Sequence, residues 1–194
     1  LGKGYINEVK WSPDGKTLEV MTPLGAYQYS SDTLDEQQFY DTATYALSTT
    51  FSPDKHFLAS GDNDGTIRIW NTSNKHLIQT LVGHQYRVYS VVFSTDGRIL
   101  ASAGGEGSIR FWDANSGEIL HKTTEEAHDN YVLHIAFSPD NRILASIGGD
   151  KVVRLWDVNT GKVVRVLTGH TDLIWSLAFS PDGQTIASGS ADRT

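Results

Sequence analysis

A five-residue pattern recurs through this chain. An aromatic residue is followed by serine, a third residue that is proline in four of the copies, aspartate and a turn-forming residue; the copies begin at Trp11, Phe51, Phe93, Phe137 and Phe179. Successive copies begin 40, 42, 44 and 42 residues apart. Such a period indicates a repeat architecture built from one supersecondary unit. We therefore expect residues shared by all copies to hold the copies together, and function to lie where the copies differ.

The composition excludes several classes of protein. A hydrophobic content of 39% and a charged content of 20% are ordinary for a globular chain. Because cysteine is absent, a disulfide framework and thiol chemistry are excluded, while the compartment is left open. The formal net charge of -7 argues against nucleic acid or an anionic membrane as a partner. The apolar runs are also far shorter than a membrane span requires.

Each copy predicts about four short strands. Runs of β-forming residues are separated by clusters of proline, aspartate, asparagine and glycine, which is typical of antiparallel strands joined by tight turns. In the third copy the predicted strands are Val88–Phe93, Ile99–Ala103, Ile109–Trp112 and Ile119–His121. Some strands, such as 163–167, are apolar on both faces, which suits a sheet packed between two others. Four-stranded sheets at this period predict a β-propeller.

The repeat motifs resemble those of the WD-repeat propellers. The pairs Gly83-His84 and Gly169-His170, and then Trp112-Asp113 and Trp156-Asp157, match the Gly-His and Trp-Asp motifs of that family. The resemblance covers essentially the whole chain, and the closely matching copies are similar to bacterial members. It implies an all-β propeller of four-stranded antiparallel blades, with about four and a half blades and an incomplete ring. The implied blades are about 1–40, 41–81, 82–124, 125–167 and a half blade at 168–194.

The resemblance also implies a hydrogen-bonded network inside each blade. In the family, a histidine bridges a serine and an aspartate, and a tryptophan indole completes the set. The matching residues are Ser60, Asp64 and Trp70 in blade 2, His84, Ser102, Glu106 and Trp112 in blade 3, His128, Ser146, Asp150 and Trp156 in blade 4, and His170, Ser188 and Asp192 in blade 5. A satisfied buried network fixes strand register. Thr42 replaces the histidine in blade 2. The longer Glu106 replaces aspartate in blade 3, and we expect a distorted network in blade 3. Blade 1 has none of the four residues, and we expect it to depend on packing.

The recurrence of serine, histidine and aspartate does not indicate catalysis. A catalytic triad needs one exposed nucleophile beside an oxyanion hole, whereas this set recurs between strands in several copies. Histidines on neighbouring blades are too far apart to share a metal ion. The 62–65 turn lacks the closing glutamate of a calcium loop, and 104–107 lacks the lysine of a phosphate loop. We expect no catalytic, cofactor or metal site, and a structural role for the arginines that precede the tryptophans by two residues, Arg68, Arg110 and Arg154.

Two features differ between copies and predict a partner-binding face. The spacing from tryptophan to histidine is 14 residues from Trp70 and from Trp156, but 16 from Trp112. The resemblance places this insertion, 123–127, on the narrower face where partners dock. Aromatic and arginine side chains, which are enriched at interface hot spots, follow each histidine. The candidates are Tyr86, Arg87, Tyr89, Glu125, Glu126, Tyr131 and Trp175. Packing of these rings between blades remains an equal alternative.

These observations predict a non-catalytic protein–protein interaction scaffold whose partner is a protein and neither nucleic acid nor a membrane. One alternative is the recognition arm of a larger enzyme or signalling protein, because a fold alone does not determine function. A small-ligand site in the central channel is weaker, since no cluster of channel-facing carboxylates or histidines is evident. Because an open arc exposes unpaired strand edges, we expect a fragment of a longer propeller, or a chain that closes against another.

Overall fold

In the described part of the chain, eighteen strands form five antiparallel sheets in chain order. The computed structural model describes residues 6, 8–12, 15–22, 24–42, 46–123 and 127–194. Sheet 1 contains β1 (Glu8–Trp11), β2 (Thr17–Thr22), β3 (Gly25–Ser30) and β4 (Glu36–Asp41). Sheet 2 contains β5 (Ala46–Phe51), β6 (Phe57–Asp62), β7 (Thr66–Asn71) and β8 (Leu77–Val82). Sheet 3 contains β9 (Val88–Phe93), β10 (Ile99–Gly104), β11 (Ile109–Asp113) and β12 (Ile119–Lys122). Sheet 4 contains β13 (Val132–Phe137), β14 (Ile143–Gly148), β15 (Val153–Asp157) and β16 (Val163–Leu167), and sheet 5 contains β17 (Ile174–Phe179) and β18 (Ile186–Ser190).

The predicted fold class is confirmed. The described residues form sheets without a helix, four of the sheets have four antiparallel strands, and together they do not close into a ring. In the third copy, the four strands lie where the spacing of turn residues predicts them, with ends within one residue. Among the described residues, no helix is long and apolar enough to cross a membrane.

From sheet 2 onward, the first strand of each sheet lies beside the first strand of the next. Strands β5, β9, β13 and β17 contact one another in that order. The fourth strands β8, β12 and β16 lie at the opposite edge, and most of their side chains are exposed. The sheets are therefore arranged as blades, with a buried inner edge and a solvent-facing outer edge.

The core lies in layers between neighbouring sheets. One layer joins Phe111 of sheet 3 to Ile135 and Trp156 of sheet 4, and another joins Ile67 of sheet 2 to Trp112 of sheet 3. The second strands of sheets 2, 3 and 4 are buried on both faces because each of these sheets has a neighbour on either side. This explains why period-two alternation is weak in these strands.

The turns between the first and second strands contact one another from sheet to sheet. Gly97 lies against the Pro53 ring of the preceding turn, where an added Cβ would be 3.4 Å from Pro53 Cδ. The next junction differs, because Thr95 replaces proline. Its amide donates a hydrogen bond to Asn141 Oδ1 at 2.8 Å, and Asn141 adopts a positive φ of 60°, as Gly97 and Gly183 do at the same repeat position. Proline stacking at one junction is thus replaced by hydrogen bonding at the next.

Candidate functional site

Sheet 4 contains a continuous buried chain of hydrogen bonds. The Trp156 indole Nε1–H donates to Ser146 Oγ at 2.8 Å, and Ser146 Oγ lies 2.6 Å from His128 Nε2. The other imidazole nitrogen, Nδ1, lies 2.7 Å from Asp150 Oδ1. These residues reach one another because Trp156, Ser146 and Asp150 lie on adjacent strands or their connecting turn, and His128 precedes β13. The structure brings together all four predicted residues of this copy.

The protonation of this chain follows from its geometry. With neutral His128, Nδ1–H donates to the carboxylate, Nε2 accepts from the serine hydroxyl, and the serine oxygen accepts from the indole. Burial lowers the pKa of His128, and the opposing hydrogen bond and charge of Asp150 do not fully offset that effect. The neutral imidazole is therefore the form that fits the folded state near pH 7. Since Ser146 is 0% exposed, its hydroxyl is closed to any substrate.

Sheet 3 has the same chain with a longer carboxylate. His84 Nε2 lies 2.7 Å from Ser102 Oγ, and Trp112 Nε1–H donates to the same oxygen at 2.8 Å. Glu106 still reaches His84 Nδ1, and it also accepts from Ser108 Oγ at 2.6 Å. Burial raises the pKa of Glu106, but the hydrogen bonds from His84 and Ser108 outweigh burial and hold its pKa at about 2.

The longer side chain changes how the carboxylate meets its arginine. In sheet 4, Arg154 forms a close ion pair with Asp150. In sheet 3, Arg110 Nη2 lies 3.7 Å from Glu106 Oε1, and Glu106 Oε2 is buried without a hydrogen-bond partner among the described residues. The extra methylene preserves the contact with histidine and loosens the contact with arginine.

Sheet 2 does not join its predicted residues into one chain. Asp64 accepts from Thr66 and forms an ion pair with Arg68 at 2.8 Å, while Ser60 Oγ lies 3.4 Å from Asp62. The Trp70 indole N–H is buried without a hydrogen-bond partner in the described part of the chain. Because Thr42 replaces histidine, no imidazole bridges the serine to the aspartate in this sheet.

Sheet 5 contains the histidine half of the arrangement. His170 Nε2 lies 2.8 Å from Ser188 Oγ, and His170 Nδ1 lies 2.8 Å from Asp192 Oδ2. These three predicted residues are therefore brought together as their spacing implies.

The arginines form ion pairs that sequence reasoning missed. Arg68 contacts Asp62 and Asp64, and Arg154 contacts Asp150. Each arginine lies two residues before a tryptophan and is paired across the strands with the network serine, as in Ser146↔Arg154. The constant spacing of arginine, tryptophan and aspartate was the signal that could have revealed these pairs.

The candidate partner-binding residues lie around the first strands of sheets 3 to 5. Tyr89 and Tyr131 are half-buried and form a tilted aromatic pair with ring centroids 5.9 Å apart, which joins sheets 3 and 4. Tyr86 and Trp175 are 61% and 58% exposed, and Arg87 is also exposed. The rings therefore divide into an inter-sheet pair and two solvent-facing aromatics.

Two glycines lie in close contact with the tyrosines. An added Cβ at Gly105 would lie 3.0 Å from Tyr86 Cβ, and one at Gly149 would lie 3.5 Å from Tyr131 Cε1. Because glycine lacks a Cβ, the 104–107 turn can pack closely against aromatic side chains.

The insertion is described only at its ends. Glu125 and Glu126 lie outside the described residues. Thr123 is buried, and its Oγ1 accepts a hydrogen bond from the Ile109 amide at 2.9 Å, while Ala127 is buried in the core between sheets 3 and 4. Both ends are therefore anchored. Within the described ranges, no group of three histidine, cysteine, aspartate or glutamate residues could hold a metal ion.

Comparison with known proteins accounts for the repeats. The family model described as WD40, "WD domain, G-beta repeat", matches residues 37–71, 75–113, 119–157 and 161–194. Each match contains the outer strand of one sheet and strands of the next sheet, so the sequence repeat is offset from the structural sheet.

A curated relative shares part of the chain. The general transcriptional corepressor TUP1 of Saccharomyces cerevisiae (strain ATCC 204508 / S288c) is 45% identical over 47 residues, which is 24% of this chain and 7% of the relative. The chain thus matches only a small part of that protein's length. Four in-phase matches to the family model cover most of the sequence, and the sheets have the arrangement that the repeat requires. This chain belongs to the WD40 repeat family.

Proposed function

We propose that this chain is a non-catalytic protein–protein interaction scaffold. The supporting observation is the exposure of two large aromatic side chains, Tyr86 and Trp175, beside the first strands of sheets 3 and 5. Exposed aromatic residues flanked by a rigid framework are typical of binding surfaces. The buried serines and histidines of the network, in contrast, are placed to stabilise the sheets.

The contact surface we propose comprises Tyr86, Arg87, Tyr89, Tyr131 and Trp175, with Glu125 and Glu126 in the adjoining insertion. Tyr86, Arg87 and Trp175 would meet the partner directly because they are exposed. Tyr89 and Tyr131 would mainly hold the surface in shape, since their rings contact each other across two sheets. The partner class is protein, because the net charge of -7 disfavours nucleic acid and anionic membranes.

A site-specific cross-linking experiment tests this proposal. A photoreactive phenylalanine derivative is placed at Tyr86 or Trp175, and at Ile78 of the outer strand β8 as a matched exposed control. We expect the same cross-linked protein from the first two positions and a different pattern, or none, from Ile78. Tyr86→Ala with Trp175→Ala should abolish capture of that protein by the unlabelled chain without lowering its melting temperature. Equal cross-linking at all three positions, or a large loss of stability in the double variant, would contradict the proposal.

A further inference from the structure

A pocket of about 250 Å3 lies between sheets 2 and 3, each of which has a neighbouring sheet on either side. It adjoins the contact between Pro53 and Gly97, where the turns after β5 and β9 meet. Its apolar lining comprises Pro53, Phe57, Phe93 and Ala114. Because pockets for drug-sized ligands measure roughly 300–1,000 Å3, this pocket suits a smaller molecule.

The pocket depends on residues that differ between the copies. Ala114 and Phe57 pack against the core between sheets 2 and 3 without being fully buried. At the next junction, Val158 and Ile99 occupy the same repeat positions, and Val158 is buried in the core. The smaller Ala114 therefore leaves space that valine takes up between sheets 3 and 4, and the Phe57 ring gives this space an aromatic wall.

Two carboxylates line the pocket, and one of them has an oxygen available for a ligand. Hydrogen bonds from serine hydroxyls, each 2.6 Å long, lower the pKa of Asp54 and of Asp96, so both side chains are charged near pH 7. Asp54 Oδ2 lies 3.1 Å from His56 Nδ1. Asp96 Oδ2, in contrast, accepts no hydrogen bond from the described residues. Asp96 therefore offers an acceptor for an ammonium group.

The pocket lining also contains donors that are not used within the described ranges. The Arg98 guanidinium forms no ion pair there, whereas Arg142 Nε, at the same repeat position in sheet 4, lies 4.0 Å from Asp140 Oδ2. The side-chain amide of Asn115 likewise makes no hydrogen bond to the described part of the chain. Since Asp96 and Arg98 are only two residues apart, a carboxylate oxygen and a guanidinium are both available on one turn.

This combination of charges favours a zwitterion. A simple anion would be repelled by Asp54 and Asp96, and a simple cation would be repelled by Arg98. A molecule that contains both an ammonium and a carboxylate group would form charge-assisted hydrogen bonds with both signs. An apolar group on the same molecule would cover the exposed parts of Phe57 and Phe93, which removes apolar surface from water.

We propose that this pocket binds a free α-amino acid with an apolar side chain. Its ammonium group would bind Asp96, and its carboxylate would bind Arg98 and Asn115. Its side chain would pack in the space beside Ala114. Because the ligand would contact two sheets of the folded chain, it would stabilise their junction. The pocket lies at the opposite end of β9 from Tyr86, so this site is separate from the surface of the proposed function.

Three ligands with the same apolar group test the proposal. L-Leucine, 3-methylbutylamine, which lacks the carboxylate, and 4-methylpentanoate, which lacks the ammonium group, are each titrated into the intact 194-residue chain. Amide chemical shifts in NMR spectra follow binding. We expect saturable binding of L-leucine with a dissociation constant of about 0.1–1 mM, largest shifts in the turns at 52–57 and 94–98, and binding of either analogue weakened at least about 10-fold.

Glycine is the control for charge alone, and we expect it to bind more weakly than L-leucine because it lacks the apolar group. The melting temperature should rise with the concentration of L-leucine. The proposal would be overturned by the absence of saturable L-leucine binding, by equal binding of glycine or of either analogue, or by shifts centred elsewhere in the chain.

Variants of the chain identify the groups that bind. In Arg98→Gln, most of the preference for L-leucine over 3-methylbutylamine should be lost, because the carboxylate loses its cationic partner. Arg142→Gln, at the same repeat position in sheet 4, should keep that preference. Ala114→Val introduces the residue found at position 158 and should weaken L-leucine binding at least about 10-fold by filling the space. The wild-type series decides the question even if a variant folds poorly. A preference unchanged by Arg98→Gln, or full L-leucine binding by folded Ala114→Val, would contradict the proposal.

Discussion

Sheets 4 and 2 have the same strand pairing, although sheet 4 contains the complete hydrogen-bond network and sheet 2 does not. Leu144 pairs with Trp156 in sheet 4, and Leu58 pairs with Trp70 at the same repeat position in sheet 2. Trp156 donates its N–H to a serine, whereas the N–H of Trp70 has no partner among the described residues. Strand register therefore does not require the network. Sheet 2 forms its blade without the complete network, and we expect the network to add stability where it is complete.

Replacing His128 by threonine should have the largest effect, because it gives sheet 4 the residue found in sheet 2. Ser146, Asp150 and the Trp156 N–H would lose the imidazole that links them inside the protein. Leaving buried polar groups unpaired should lower the free energy of unfolding by about 3 kcal/mol. Chemical denaturation measures the change. A loss below about 0.5 kcal/mol would mean that the imidazole does not support the sheet.

Matched tryptophan substitutions should separate the indole hydrogen bond from ring packing. Trp156→Phe removes both ring volume and a satisfied N–H, and should cost about 1–3 kcal/mol more through the lost hydrogen bond than Trp70→Phe. Trp70→Phe removes an N–H that is not hydrogen-bonded to the described residues. Thermal unfolding of the two variants gives the comparison. Equal losses would show that only ring volume matters.

Acidification from pH 6.5 to pH 5 should destabilise sheets 3 and 4 but not sheet 2. Burial lowers the pKa of His84 and His128, so the folded state disfavours the charged imidazole that the unfolded chain forms below about pH 6.5. This stability is fully present above pH 6.5 and is lost as the pH falls toward the folded-state pKa values, by at most about 1.4 kcal/mol per pH unit for each histidine.

Variants and a lower pH range check the assignment of this titration. The denaturation slope between pH 6.5 and 5 should become shallower when both histidines are replaced by threonine, and the part that stays belongs to His121, whose pKa burial also lowers. An unchanged slope would assign the titration to other groups. Glu106, whose pKa of about 2 lies below its usual range, adds a further loss as the pH falls from about 4.5 toward 2.

Installing histidine in sheet 2 should have the smallest effect. Thr42→His would restore the residue type that accepts from serine and donates to a carboxylate in sheets 3 to 5. We expect a gain of about 0.5–1.5 kcal/mol, the net contribution of a protein hydrogen bond, since Asp64 is already paired with Arg68. In Thr42→His, the cost of Trp70→Phe should then approach that of Trp156→Phe. A destabilised variant would show that sheet 2 is packed too tightly for an imidazole.

Much of the fold could be predicted because each copy of the repeat contains the turn residues that end its strands. Turn residues at a constant period mark the ends of β9 to β12 within one residue. The network in sheet 4 was implied by the resemblance to the WD-repeat family, and the in-phase spacing identified which four residues of the copy carry it. These predictions depend only on relations within a copy.

The remaining features depend on relations that spacing does not contain. The Tyr89–Tyr131 pair joins two sheets, and a period within each copy does not define which rings meet across the gap. Thr42 marks the missing histidine in the sequence, but it does not show that the Trp70 N–H finds no other partner among the described residues. The constant spacing signals the arginine ion pairs, but it does not define which carboxylates each guanidinium contacts, since Arg68 meets both Asp62 and Asp64.

The junction between Thr95 and Asn141 has a consequence for the order of the copies. Pro53 and Pro139 each contact a glycine of the following turn, so those two junctions are chemically interchangeable. The Thr95 amide and hydroxyl instead bond to Asn141 and to the Pro139 carbonyl. A gene duplication or deletion that moved the third copy beside a different successor would separate these partners. The hydrogen bonds of Thr95 therefore make the third copy a specific neighbour of the fourth.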